Sequence, residues 1–192
     1  MNNKFIMPKL YFRYGTMNSS KTSNLLMVAH NYQALNRKIL LMKPKIDTRT
    51  IGNIKSRIGF EKDVDILIDL ETDLLEIDYQ NFDCVIIDEV QFLLPKHIDQ
   101  LRIITKYVPV ICYGLRTDYR IKMFSGSQRL MELADTIEEI KTICVDCSHK
   151  AIINAKYIQE NNKITLIKDG SDKTDLGAEE KYRAMCWDCW SK

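Results

Sequence analysis

Apolar residues fall along this chain in two kinds of pattern. Short unbroken runs occur at residues 9–13 (KLYFR), 38–42 (KILLM), 82–88 (FDCVIID) and 108–113 (VPVICY). Runs of this length suit strands buried on both faces, as in a parallel sheet. Between them lie longer stretches with helical spacing. Residues 22–36 carry Leu25, Val28, Ala29, Tyr32 and Leu35 on one predicted face. Residues 95–107 (PKHIDQLRIITKY) open on a proline, which suits the first turn of a helix. A short strand is expected over 65–69, a helix over 70–77, a short helix over 127–134 and a last strand over 136–140. Residues 43–61 are polar and basic without clear periodicity, and are expected to form a mobile loop. The order strand–loop–helix–strand predicts an α/β fold built on a parallel sheet with helices on both faces.

The pattern changes near Lys141. Two strand-like runs, 150–158 (KAIINAKYI) and 163–168 (KITLIK), lie between Cys144-x-x-Cys147 and Cys186-x-x-Cys189. Two knuckles, each presenting two thiolates, complete a tetrahedral zinc site. Four thiolates already saturate such an ion, so the adjacent His149 is not needed, and the site is expected to be closed and structural. Cys84 and Cys112 fall in predicted core strands and read as apolar fillers. His30 and His97 fall on predicted helices and read as structural or surface residues. Two domains are expected, residues 1–140 and 141–192, the second a small zinc-ribbon unit.

Composition narrows the choice of function. The chain has 192 residues, 45% of them hydrophobic, and a formal net charge of +2. That is enough apolar material for a core, and the near-neutral charge gives no argument for broad attraction to nucleic acid or membrane. No apolar run approaches the roughly 18 residues of a membrane span, and the first residues show no secretory pattern. A cytoplasmic protein is expected.

The chemistry concentrates in YGTMNSSKT, residues 14–22. It approaches the phosphate-binding pattern G-x-x-x-x-G-K-[ST] with Ser20 at the second glycine. A loop joining a strand to a helix turns backbone N–H groups toward an anion, and the helix dipole adds to the attraction. In this pattern Lys21 contacts the outer phosphates and the Thr22 hydroxyl ligates Mg²⁺. The run CVIID ends in Asp88, the form of a strand whose acid assists Mg²⁺. Glu89 follows. At a strand's C-terminal end both acids can reach the ligand crevice. One can serve Mg²⁺ while the other faces an acceptor, or Glu89 can be a solvated loop residue. Ser20 is expected to keep a negative φ, with its side chain turned away from the phosphates.

The ordered set of motifs resembles the type II thymidine kinases, a family with a P-loop (RecA-like) core and a zinc-bearing lasso. YGTMNSSKT resembles G-x-M-x-[SA]-G-K-[ST], DTR at 47–49 matches D-x-R, and DEVQF at 88–92 resembles D-E-x-Q-F. YGLRTDY at 113–119 resembles the segment entering the nucleoside pocket, and KY at 181–182 resembles the lasso that closes over the base. The chain departs from the family with Ser20 for the usual Gly, and with Tyr119 where some members have Phe.

The resemblance implies an ATP:thymidine 5′-phosphotransferase of nucleoside salvage. Glu89 would be the proton acceptor, with Arg49 and Lys21 also catalytic. Gly15, Thr16, Met17, Asn18, Ser19, Ser20, Lys21, Thr22, Asp88, Glu89, Val90 and Gln91 would hold ATP and Mg²⁺. Met17, Asp47, Arg49, Phe92, Leu115, Tyr119, Phe124, Gly177 and Tyr182 would form the nucleoside pocket. Cys144, Cys147, Cys186 and Cys189 would hold structural Zn²⁺. The resemblance also implies a homotetramer and feedback inhibition by dTTP. Two other classes remain. A RecA-like ATPase moving on nucleic acid predicts a basic face, which a near-neutral chain supports poorly. A non-catalytic zinc-ribbon module leaves Lys21, Thr22, Asp88 and Glu89 unexplained.

Overall fold

The computed structural model describes residues 8–47, 52–161, 163–170 and 181–192. Its centre is a six-stranded, wholly parallel sheet. The strands are β1 (Leu10–Tyr14), β2 (Ile39–Pro44), β5 (Ile66–Ile68), β6 (Cys84–Ile87), β7 (Val110–Gly114) and β8 (Thr136–Glu139), in the order β5-β2-β6-β7-β1-β8. Strand β6 shows why the apolar runs are continuous. Alternate residues face opposite sides of a sheet, and both sides are covered. Cys84 and Ile86 pack with Leu25, Leu26 and Ala29 of helix α1 (Lys21–Ala34). Val85 and Ile87 pack with Ile98, Leu101 and Ile104 of α2 (Pro95–Ile104) and Leu130 of α3 (Ser125–Leu133). Each fully buried Leu or Ile contributes roughly 1.5–3 kcal/mol.

The structure corrects the sequence reading in three places. Residues 43–61 were expected to be a mobile loop. The described part instead contributes an antiparallel hairpin, β3 (Asn53–Lys55) with β4 (Glu61–Asp63). Its residues are mostly polar, so no apolar alternation betrayed it. Residues 70–77 form only one 3₁₀ turn, Leu74–Glu76, in place of the expected helix. Asp73 caps that turn by accepting from the Leu75 N–H. Leu35, counted in the apolar face of α1, lies past the helix end and is 74% exposed.

A second, antiparallel sheet has the order β10-β9-β11, with β9 (Ile153–Glu160), β10 (Lys163–Ile167) and β11 (Tyr182–Met185). The short helix α4 (Trp187–Ser191) follows. Its Trp187 and Trp190 rings lie 5.4 Å apart, and Lys168 Nζ sits 4.9 Å over the Trp190 ring. Among the described residues, no helix is long and apolar enough to cross a membrane.

One close approach joins the sheet to the site. A Cβ built on Gly114, the last residue of β7, would lie 2.6 Å from Gln91 Oε1 and 2.9 Å from Val90 Cγ1. Gly114→Ala should therefore destabilise the fold by about 1–3 kcal/mol through overpacking. Urea denaturation checks this, and an unchanged midpoint would show that Gln91 can withdraw without cost.

Candidate active site

The phosphate loop and the acidic pair lie at the C-terminal ends of the parallel strands β1 and β6. After β1 the chain turns through residues 15–20 into α1. The Gly15 N–H donates to the Gly114 carbonyl at 3.3 Å, and a Cβ at Gly15 would collide with Ile140 O and Ser19 Oγ. The first turn of α1 carries no acid, so its dipole faces the loop uncompensated. Lys21 is 7% exposed and folds back to donate to the Thr16 carbonyl at 2.8 Å. The buried Thr16 and Ser19 hydroxyl oxygens have no hydrogen-bond partner among the described residues. Buried hydroxyls without partners are costly, and in an anion-facing loop phosphate oxygens suit them.

Ser20 departs from expectation. Its φ is 63° and ψ 27°, and Asn18 has φ 64°. The loop therefore does place position 20 in the left-handed region, where a glycine would be unstrained. The Ser20 side chain is exposed and makes no capping hydrogen bond, as expected for one turned away from the loop.

Across the loop stands the acidic end of β6. Thr22 Oγ1 donates to Asp88 Oδ2 at 3.4 Å, which joins the two predicted Mg²⁺-facing groups. Glu89 is 7% exposed, so it is not a solvated loop residue. It too is left-handed, at φ 50°. Its N–H donates to Asp88 Oδ1 at 3.0 Å, and its carboxylate accepts from Gln91 Nε2 at 2.5 Å. Gln91 Oε1 accepts in turn from the Leu115 N–H at 3.0 Å. A single amide thus ties the Glu89 carboxylate to the start of the 115–123 loop. Ser127 Oγ donates to the Leu115 carbonyl at 2.6 Å and fixes that loop from α3. The Val90 side chain points into the core.

The described members of the expected nucleoside pocket make the following contacts. Phe92 and Phe124 meet edge to face at 5.9 Å. Tyr119 is 2% exposed, with Lys156 Nζ 5.2 Å and the Arg120 guanidinium 5.6 Å from its ring centre. Tyr182 of β11 pairs in register with Lys156 of β9. Asp47 is buried and is met by Lys43 Nζ at 3.3 Å. Met17 donates its N–H to Asn154 Oδ1 at 2.7 Å. Arg49 and Gly177 lie outside the described residues.

Sequence reasoning missed Lys43, Ser127 and Asn154, and the linking role of Gln91. Asn154 alone left a signal: a residue poorly suited to strands set inside the apolar run AIINAKYI.

The sulfurs of Cys144, Cys147, Cys186 and Cys189 lie within 4.8 Å of one another, with Cys147 and Cys186 3.6 Å apart. Sulfurs about 2.3 Å from a tetrahedral zinc ion are separated by about 3.8 Å, so the cluster can hold zinc. Burial works against ionising Cys144, but backbone hydrogen bonding from Cys186 and Asp146 brings its pKa down to about 7. The neighbouring thiols of Cys147 and Cys186 push Cys189 up to about 12. Four thiols this close do not all ionise without a cation to balance them. Cys84 and Cys112 are fully buried in the main sheet, as expected of fillers.

A parallel sheet with an anion-facing loop after β1 and a carboxylate pair after β6 defines a P-loop nucleotide-binding protein of the α/β class. The family profile described as thymidine kinase matches residues 8–190. The thymidine kinase of Chromobacterium violaceum is 39% identical over 96% of this chain and 98% of its own. That of Enterococcus faecalis is 40% identical over 94% and 93%, and that of phage T4 is 37% identical over 97% of both. The chain belongs to the thymidine kinase family and is a phosphotransferase. Among solved structures, the Candida albicans Pif1 helicase overlaps at a TM-score of 0.44 with 12% identity, over 71% of this chain and 36% of its own, too little to carry an argument.

Left-handed backbone costs a non-glycine residue roughly 1–2 kcal/mol. Glycine returns about 0.5–1 kcal/mol of that through its freer unfolded chain. Ser20→Gly should therefore stabilise the ligand-free protein by about 0.5–1 kcal/mol. Chemical denaturation reads this, and a destabilised variant would show that the serine is held by contacts that offset its strain.

Proposed function

We propose that this chain transfers the γ-phosphoryl group of ATP to the 5′-hydroxyl of thymidine, with Glu89 as the proton acceptor. The observation that carries the reading is the placement of Glu89. Its carboxylate is buried and held by Gln91 beside Asp88, while Asp88 faces Thr22 of the phosphate loop. Phosphoryl transfer is mainly positioning and charge stabilisation. A sugar hydroxyl is too weak an acid for a carboxylate to ionise outright. Glu89 instead orients it and takes its proton as the bond to phosphorus forms and ADP leaves.

Lys21 contacts the outer phosphates, and the N–H groups at the start of α1 add to their attraction. Thr22 and Asp88 would hold Mg²⁺, which would offset the charge of the phosphates. Asp47 is assigned to the sugar and Arg49 to the transferred group. Phe92, Phe124, Leu115, Tyr119, Tyr182 and Met17 enclose the base, with Gly177 in the closing lasso. Such closure keeps water from competing as acceptor. Residues 1–140 form the nucleotide-binding domain in this reading and 141–192 the zinc-bearing lasso domain. A cytoplasmic homotetramer inhibited by dTTP completes it, supported by the family resemblance.

Purified protein with ATP, Mg²⁺ and thymidine should yield thymidine monophosphate. ATP hydrolysis stimulated by nucleic acid, with no phosphorylated nucleoside, would overturn the assignment. Glu89→Gln should lower kcat by roughly 10²–10⁴-fold while ATP binding, read by titration calorimetry, changes little. Near-normal turnover would remove Glu89 from the acceptor role. Metal analysis should find about one zinc per chain, and a fully active metal-free protein would contradict a structural zinc site.

A further inference from the structure

Strand β9 is a two-sided element. Ile153 and Ala155 pack with Met185, Cys144 and Cys186 in the cysteine-bearing core. Asn154 and Lys156 alternate with them and face the other way, and they are 4% and 9% exposed. Both reach residues assigned to the active site. Lys156 Nζ lies 5.2 Å from the centre of the Tyr119 ring. Asn154 uses both ends of its amide. Its Oδ1 accepts from the Met17 N–H at 2.7 Å, and its Nδ2 donates to the Thr117 carbonyl at 3.1 Å.

Met17 belongs to the loop that receives the phosphate donor. Thr117 belongs to the loop that carries Leu115 and Tyr119 on the acceptor side. We propose that Asn154 is a positioning residue for phosphoryl transfer, a cross-brace that holds the donor loop and the acceptor loop at a fixed separation. This rests on the kinase reading above. One partner is a donor and the other an acceptor, and the amide in this one orientation satisfies both. A carboxylate could serve Met17 but not Thr117, and a leucine of similar size serves neither.

The brace acts at a point where small displacements matter. Transfer needs the acceptor oxygen in line with the leaving group, and a shift of about 1 Å can cost on the order of 100-fold in rate. Gln91 already links Glu89 to Leu115. Asn154 supplies the second link from the small sheet, two residues further along the same acceptor loop. It also commits the Met17 N–H to protein.

Thymidine phosphorylation is measured for the unmodified protein and for Asn154→Ala and Asn154→Leu, with thermal unfolding and zinc content for each. The brace predicts that kcat at saturating ATP and thymidine falls roughly 10- to 100-fold in folded Asn154→Ala and Asn154→Leu. Both KM values should change by less than kcat, with unfolding midpoint and zinc content retained. A folded Asn154→Ala variant with kcat within about twofold of the unmodified protein overturns the proposal. So does a loss of kcat that only tracks the loss of folded protein.

Amide hydrogen exchange at Met17 in the unmodified protein tests the brace without any substitution. Slow exchange supports it, and exchange at the rate of an open loop overturns it. An unmodified protein that phosphorylates no nucleoside defeats the kinase reading, while the Met17 exchange still decides whether the brace exists.

Discussion

Both faces of the inner strands β2, β6 and β7 are buried, and this constraint decides where chemistry can sit. Strands covered by α1 on one side and by α2 and α3 on the other have no room for a charged group without a partner. Polar residues are pushed to the strand ends, and at the C-terminal ends the chain opens into a crevice. Gly15 follows β1, Asp47 follows β2, Asp88 follows β6 and Leu115 follows β7. Four loops distant in sequence are brought to one edge by the parallel register. The site is a consequence of the sheet's insulation more than of any single motif.

Within that edge the backbone is held in costly shapes. Asn18, Ser20 and Glu89 all have positive φ, each worth roughly 1–3 kcal/mol of strain. At Glu89 the surrounding hydrogen bonds offset it. The Glu89 N–H is taken by Asp88 and its carboxylate by Gln91, while Gly114 leaves the space that Gln91 fills. A carboxylate held this way has little orientation left to lose when a substrate arrives, which favours catalysis by preorganisation.

Much of this architecture is legible in the sequence, because burial on two faces writes itself as unbroken apolar runs. The strands β1, β2, β6 and β7, and the proline-led α2, follow from local pattern. The cysteine spacing likewise predicts a cluster that the fold assembles. What the pattern hides depends on distant partners. The β3–β4 hairpin carries mostly polar residues and lacks alternation. The left-handed turn at Ser20 is set by where the loop must go between β1 and α1, not by local preference. The bond from Met17 to Asn154 spans 137 positions, and although Asn154 stands out within its strand, nothing near it names the partner.

The tryptophan pair of α4 has an optical consequence. The chain contains two tryptophans, and both sit on the helix that holds Cys189, between the knuckle and Lys168. Intrinsic indole emission from this protein is therefore a local signal. It reports the cysteine cluster and the stretch leading out of β10, while the phosphate loop and the main sheet stay dark. A spectrum that shifts on adding a ligand speaks for the small sheet, whichever part of the molecule the ligand first touched.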